Sequence, residues 1–255
     1  SIHLPDSITT MGYKVFGGCS NLVSANYPVN WVNSPSGNGS NSYEYGNVFS
    51  GCPKLTEIEI PEGVKAIAPH SFANLTTLTR VTLPSSLTEI GRYAFAGAIG
   101  LTEVTIPENT QIIRDHVFAD CTKLTQINLS EGLTTIYAYA FENCTGLTKI
   151  RLNENVNTIG SSAFYSCTAL QRFEFNRMNP PAVDYYTFEG INKSTCNLII
   201  PYYATSNYKA ANYWNQFLNV TESNFDDTAV PVTVKRCFSV ATSEGHVKIS
   251  GFDPG

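Results

Sequence analysis

The sequence predicts a right-handed α/β repeat solenoid, β-rich with short helices. Three observations predict it: a fixed step, apolar alternation within the step, and turn-forming residues at one place in each step. Leu55, Leu78, Leu101, Leu124, Leu147 and Leu170 are each 23 residues apart. The same step carries Ile58 to Val81, Val104, Ile127, Ile150 and Phe173, and Phe49 to Phe72, Phe95, Phe118, Phe141 and Phe164. A unit this short cannot bury its apolar side alone and must borrow its neighbour's, so a fixed period implies stacked coils. The right hand follows from the rule for parallel crossovers.

Leu55-Thr-Glu-Ile58-Glu-Ile60 ends in the two-residue alternation of a strand buried on one face. Pro61, Pro84 and Pro107, and later Ser130, Asn153 and Asn176, then favour a turn over a continuing ladder. The strands should form a continuous sheet through Leu55 to Ile60 and its five successors. A second apolar pair (Val64 and Ile67, Leu87 and Ile90, Leu133 and Ile136, Val156 and Ile159) reads as a short second strand. Ala-Phe follows, then a small or sulfur-bearing residue and the next leucine at three-residue spacings that suit one or two helical turns.

These signatures are Ile58-Glu-Ile60-Pro61, Leu87 to Ile90, the A-F-x-x-C of Ala140 to Cys144 and Ala163 to Cys167, and the leucines Leu147 and Leu170 that follow. Together they resemble the leucine-rich repeat superfamily, and within it the BspA-like class of bacterial cell-surface proteins, over residues 1–222. The commonest leucine-rich repeats place an asparagine column after the strand. No such column exists here, which favours the narrower class.

Earlier, Ile2, Leu4, Pro5, Ile8, Met11, Phe16, Cys19 and Leu22 fit the same frame. The chain thus begins inside a repeat, and the native protein is expected to start earlier. Phe49 lies 33 residues after Phe16, which places an insertion near 29–46, rich in Asn, Ser and Gly and carrying Trp31, Tyr43 and Tyr45. Insertions in solenoids map to loops and often to a binding face. Either these aromatics bind a ligand or the loop is a surface excursion whose rings pack back on the coil. In the second case Trp31→Ala should leave stability almost unchanged.

After Leu170 the pattern degrades. Residues 198–222 read as a cap: a last strand at Leu198 to Pro201, then a helix over Thr205 to Phe217 with Tyr208, Ala211, Trp214 and Phe217 on its apolar side. The run resembles the Y-K-x-A-x-x-W-x-x-F ending of BspA-like arrays, and its bulky rings suit a lid over the open end of a core. Residues 223–229 read as a linker. In 230–255, Val230, Val232, Val234, Phe238, Val240, Val247 and Ile249 alternate as strands around a Ser243-Glu-Gly245 turn. This small β tail is too short for its own core and reads as the start of a truncated β-sandwich module.

The 255 residues carry a formal net charge of −5 with only 16 Lys and Arg. That argues against nucleic acid or an anionic membrane, which need a concentrated basic patch. No apolar run is long enough for a transmembrane segment and no signal peptide opens the chain. Of seven cysteines, Cys19, Cys52, Cys121, Cys144 and Cys167 share the position three after the phenylalanine, where Leu75 and Ala98 also stand. A site that accepts aliphatic residues holds packed, reduced thiols. No C-x₂-C pair suggests zinc.

No hydrolase, P-loop or zinc-protease motif occurs. Glu57, Glu59, Glu103 and Glu174 should face solvent, where nothing raises a carboxyl pKa for acid catalysis. An enzyme, a cofactor and a metal are therefore not expected. Two surfaces could bind. The outward strand residues, among them Arg80, Glu103, Lys149, Arg151 and Arg172, form an acidic early end and a basic late end. The column His70, Tyr93, His116, Tyr139 and Ser162 is either an exposed strip or the half-buried shoulders of the coils. The resemblance implies an extracellular or surface-anchored adhesion protein for host or extracellular proteins. Carbohydrate binding through the exposed aromatics and a purely structural spacer are the alternatives.

Overall fold

The computed structural model describes residues 1–12, 14–32, 48–49 and 51–225, and the backbone of 239–243 and 246–250. The chain divides into two compact units, Ser1–Ser223 and Asn224–Gly255. The first is a β-solenoid. In chain order its strands are β1 (Glu57–Glu59), β2 (Ala66–Ile67), β3 (Arg80–Thr82), β4 (Glu89–Ile90), β5 (Glu103–Thr105), β6 (Ile112–Ile113), β7 (Gln126–Asn128), β8 (Thr135–Ile136), β9 (Lys149–Leu152), β10 (Thr158–Ile159), β11 (Arg172–Phe175), β12 (Asn197–Pro201) and β13 (Asn219–Ser223).

Two parallel layers result, because each step returns the same pair of short strands to the same place. The second strands form one unbroken layer, β2-β4-β6-β8-β10. The first strands pair in the register the 23-residue step dictates, Ile58 beside Val81, Val104 beside Ile127 and Ile150 beside Phe173. This layer is not the continuous sheet expected. It falls into β1-β3, β5-β7 and β9-β11-β12-β13. Among the described residues no backbone hydrogen bond joins β3 to β5, and the two strands part around a shallow cleft of ≈ 270 Å³.

The third side of each coil holds turns where short helices were expected. Two left-handed residues per coil prevent a helix: His70, Tyr93, His116, Tyr139 and Ser162 at φ 55° to 58°, and Asn74, Gly97, Asp120, Asn143 and Ser166 four residues later. The change of hand points alternate N–H groups at the following coil. His70, Phe72 and Asn74 donate to the carbonyls of Arg92, Ala94 and Ala96 at 3.0, 2.9 and 2.7 Å, while Ala73 and Leu75 close turns onto His70 and Phe72. A helix would keep those bonds to itself. Here they tie coil to coil, so backbone bonds hold the stack on this side and through the unbroken second-strand layer, with the interrupted first-strand layer adding to them.

Inside, Phe72, Phe95, Phe118, Phe141 and Phe164 stack nearly parallel with centroids 5.4 to 5.6 Å apart. Phe16 and Phe49 stack at 5.5 Å despite the insertion between them, so the extra residues loop out without breaking the ladder. Residues 33–47 of the insertion, Tyr43 and Tyr45 included, lie outside the described residues. Trp31 corrects the reading of this region. It is fully buried, 4.7 Å from the Tyr27 ring and 6.3 Å from Phe72. The reason is register: Trp31 follows Tyr27 by four residues as Val64 follows Ile60, so it holds the second apolar position of its coil and precedes the extra residues. The Tyr27 hydroxyl donates to the Trp31 carbonyl at 2.8 Å and accepts from the Ala68 N–H at 2.8 Å, fastening this coil to the next.

At the other end the expected helix is split into α1 (Thr205–Ala210) and a 3₁₀ turn over Trp214–Gln216, with Tyr213 at φ 67° between them. Tyr208, Trp214 and Phe217 are buried against Phe173, Phe175 and Phe188. Beyond this cap the chain adds β13 alongside β12, so the sheet runs one strand past the expected lid. In the second unit β14 (Ser239–Ser243) pairs antiparallel with β15 (His246–Ser250). The strand expected at Val230 to Val234 lies outside the described residues.

Candidate functional site

The short first strands alternate exposed, buried, exposed, which turns two side chains per coil outward. Parallel register aligns them in rows. At the early end these are Glu57, Glu59, Arg80, Thr82, Glu103 and Thr105, all exposed. Arg80 was expected to sit between acids of opposite sign. Among the described residues neither Arg80 nor Glu103 forms an ion pair, and both line the cleft between β3 and β5. Charges left unpaired on a rigid sheet are available to a partner.

The late end is built differently. Register puts Lys149 beside Arg172 and Arg151 beside Glu174. Like charges side by side would repel, and Glu174 resolves the conflict: its carboxylate accepts from Arg172 Nε and lies 3.1 Å from Lys149 Nζ. Glu174 was expected to face solvent but is 4% exposed, covered by the cations it holds. Three cations around one buried carboxylate leave a positive patch. In the next coils Asn197 and Asn219 continue the Lys149-Arg172 row, beside an open depression of ≈ 400 Å³ that Thr221 also lines.

The His/Tyr column forms the shoulders of the coils. His70, Tyr93, His116 and Tyr139 stack at 4.5 to 4.7 Å, the first two buried and the others half-buried. Desolvation pushes both histidines down to about 4, with the Arg92 charge acting the same way. Around His116, Asp115 and Asp120 oppose that shift, and Glu142 lies 3.4 Å from Nδ1, yet burial outweighs them. His70 and His116 are separated by the Tyr93 ring, and among the described residues no three His, Cys, Asp or Glu side chains converge as a metal site.

Cys121, Cys144 and Cys167 are fully buried free thiols that donate to the carbonyls of Phe95, Phe118 and Phe141 at 3.3, 3.1 and 3.2 Å. Burial raises them, Cys167 to about 12, so they are inert at neutral pH. Cys19 departs from its column and is exposed.

Two features escaped the sequence reading. Thr79, Thr125 and Thr148 donate their hydroxyls to the carbonyls of Thr56, Thr102 and Thr125 at 3.1 to 3.5 Å, an outer clamp signalled by the threonine after each leucine from Leu55 to Leu147. The exposed aromatics are also elsewhere: Tyr185, Tyr186, Tyr202 and Tyr203 are 54 to 81% exposed. The doublets Asp-Tyr-Tyr and Pro-Tyr-Tyr were the available signal.

Among the described residues no helix is long and apolar enough to cross a membrane. The chain matches the family model described as the BspA type leucine rich repeat region, in six copies over residues 1–38, 45–171 and 88–219. A solved leucine-rich repeat protein from Bacteroides ovatus is similar at 26% identity with a TM-score of 0.61, covering 87% of this chain and 54% of its own. A leucine rich cell surface protein from Faecalibacterium prausnitzii shares the fold at 22% identity with a TM-score of 0.54, over 84% of this chain and 61% of its own. This chain therefore spans between half and two thirds of the length of these relatives. Among curated proteins none matches. The match to the family model, over a stack whose 23-residue coils superpose strand on strand, places the chain in the BspA type leucine-rich repeat family.

Proposed function

We propose that this is a non-catalytic recognition or adhesion protein of the cell surface or extracellular space, binding other proteins through the strand face of its solenoid. The observation that carries the reading is the rigid charged rows: exposed Glu57, Glu59, Arg80 and Glu103 at one end, and Lys149, Arg151 and Arg172 around Glu174 at the other. Backbone bonds between coils hold the strands that carry these side chains in place before a partner arrives, which lowers the ordering cost of binding. Opposite potentials at the two ends set the partner's orientation. The relative named as a cell surface protein supports the location.

The test is surface plasmon resonance of the whole chain against a panel of extracellular-matrix proteins at two salt concentrations, beside the variant Lys149→Glu/Arg172→Glu. Binding that weakens with salt and falls at least tenfold in the variant is expected. Equal binding by both chains would remove the strand face from the account, and no binding to any member would leave a structural spacer.

A further inference from the structure

Tyr185 and Tyr186 sit in residues 176–196, between β11 and β12, where the step from Phe164 to Phe188 is 24 residues instead of 23. Nearly all other rings of the solenoid are turned inward, and these two are 56% and 54% exposed. They are nevertheless held firmly. Thr187, fully buried, donates its hydroxyl to the Asp184 carboxylate at 2.7 Å and accepts from the Asp184 N–H at 3.2 Å. Phe164 and Ser166 donate to the carbonyls of Thr187 and Glu189 at 3.1 and 2.7 Å, fixing the loop to the preceding coil.

The rings make a corner. Tyr186 meets Tyr185 at 89° with centroids 5.1 Å apart, and Tyr213, packed against the core beside the cap, meets Tyr185 at 83° and 6.3 Å. Edge-to-face contact fixes Tyr185 from two directions, so a ligand stacking on it freezes little further motion. Charge narrows the choice of ligand. Residues 176–196 carry Asp184, Glu189 and two cations: Arg177, whose guanidinium donates to the Asn179 and Glu154 carbonyls, and Lys193, whose amine donates inward to the Phe188 carbonyl at 2.8 Å. Hydrogen bonds from Ser161, Thr187 and the Ser162 backbone hold Asp184 below the usual carboxylate range despite its burial, so it is ionised at neutral pH. With both cations committed to backbone carbonyls, the ionised Asp184 next to the doublet in the chain disfavours an anionic ligand. Asn212, exposed and next to Tyr213 in the chain, carries an amide suited to hydroxyl groups.

We propose that the corner formed by Tyr185, Tyr186 and Tyr213 is a binding site for a neutral carbohydrate, whose apolar C–H face stacks on the exposed tyrosine rings while its hydroxyls meet the Asn212 amide. It is separate from the strand face and does not depend on the protein-binding role. A protein partner suits the corner less, because it needs a far larger contiguous surface than two rings provide.

Affinity electrophoresis tests it. The whole chain is run through native gels containing soluble β-glucan, mannan, xylan or arabinan, and through one containing polygalacturonate as the acidic control. Retardation by at least one neutral polysaccharide is expected, weakened at least tenfold in Tyr185→Ala/Tyr186→Ala and in Tyr186→Ala alone. Tyr186→Phe, which keeps the ring, should stay within threefold of the parent chain. Unchanged thermal melts establish that the alanine variants are folded, and Tyr186→Ala removes only a half-exposed ring should the double variant fail. No retardation by any neutral polysaccharide, retardation by polygalacturonate alone, or full retention by Tyr186→Ala would overturn the proposal.

Discussion

The central coils and the C-terminal end bury aromatic rings by two different geometries. From Phe72 to Phe164 the rings stack within 18° of parallel, each displaced along the axis by one coil. Past Phe164 the parallel step to Phe188 lengthens to 6.4 Å, and Phe173, Phe188, Trp214 and Tyr208 meet at 65° to 86°. Repetition explains the contrast: identical neighbours related by translation can only stack, whereas an end must close in three dimensions, as an ordinary globular core does. A central rung therefore has two equivalent neighbours, and an end residue has a private cluster.

The largest expected effects probe this difference. Phe118→Ala removes a fully buried ring between two stacked neighbours and should cost about 3–5 kcal/mol in denaturant unfolding. Trp31→Ala should now cost a similar amount, about 3–5 kcal/mol. A shift below about 0.5 kcal/mol would restore the surface-excursion reading of that residue. The three-sided burial of Trp31 was legible in principle, since the four-residue gap from Tyr27 matches that from Ile60 to Val64. The loop-like residues after it concealed the match.

Next comes pH. His70 and His116 sit near 4 in the fold against 6.5 as free side chains. Between those values the unfolded chain binds protons that the folded chain refuses, so stability is full above about pH 6.5, falls as pH drops towards 4 and then levels. Replacing both by phenylalanine should keep the stack and flatten that part of the pH profile. An unchanged profile would mean that other groups govern it.

Smaller still is the cysteine column. Cys121, Cys144 and Cys167 should resist thiol reagents until the fold is denatured, while exposed Cys19 reacts at once. Rapid native labelling of all of them would show the interior to be open. The smallest effect is Arg80→Ala, expected within about 0.5 kcal/mol because the side chain is exposed and without an ion pair. It should change binding and not stability.

What the sequence made plain is what repetition amplifies. Leucine, phenylalanine and cysteine columns recur often enough that each coil confirms the last, and their register, burial and stacking follow. The turns on the third side were read as helix because the three-residue spacings of Ala-Phe-x-x-Cys fit either. Only the left-handed backbone at His70 or Tyr93, residue types that do not announce it, decides between them. The binding surface was half legible. Alternation located Arg80, Glu103, Lys149, Arg151 and Arg172 on the outer face, but not the burial of Glu174 beneath two of the cations it joins, nor the exposed tyrosine corner in a coil one residue longer than the 23-residue step.

Neighbour coupling along the ladder is tested most directly by native-state hydrogen exchange on Phe118→Ala beside Trp214→Ala. Loss of a central rung should lower protection in its own coil and in both adjacent ones, from about residue 95 to 141, whereas loss of Trp214 should lower protection near β11 to β13 and leave residues 78–124 as protected as before. Equal, chain-wide loss in both variants, or loss confined to a single coil in Phe118→Ala, would contradict the account.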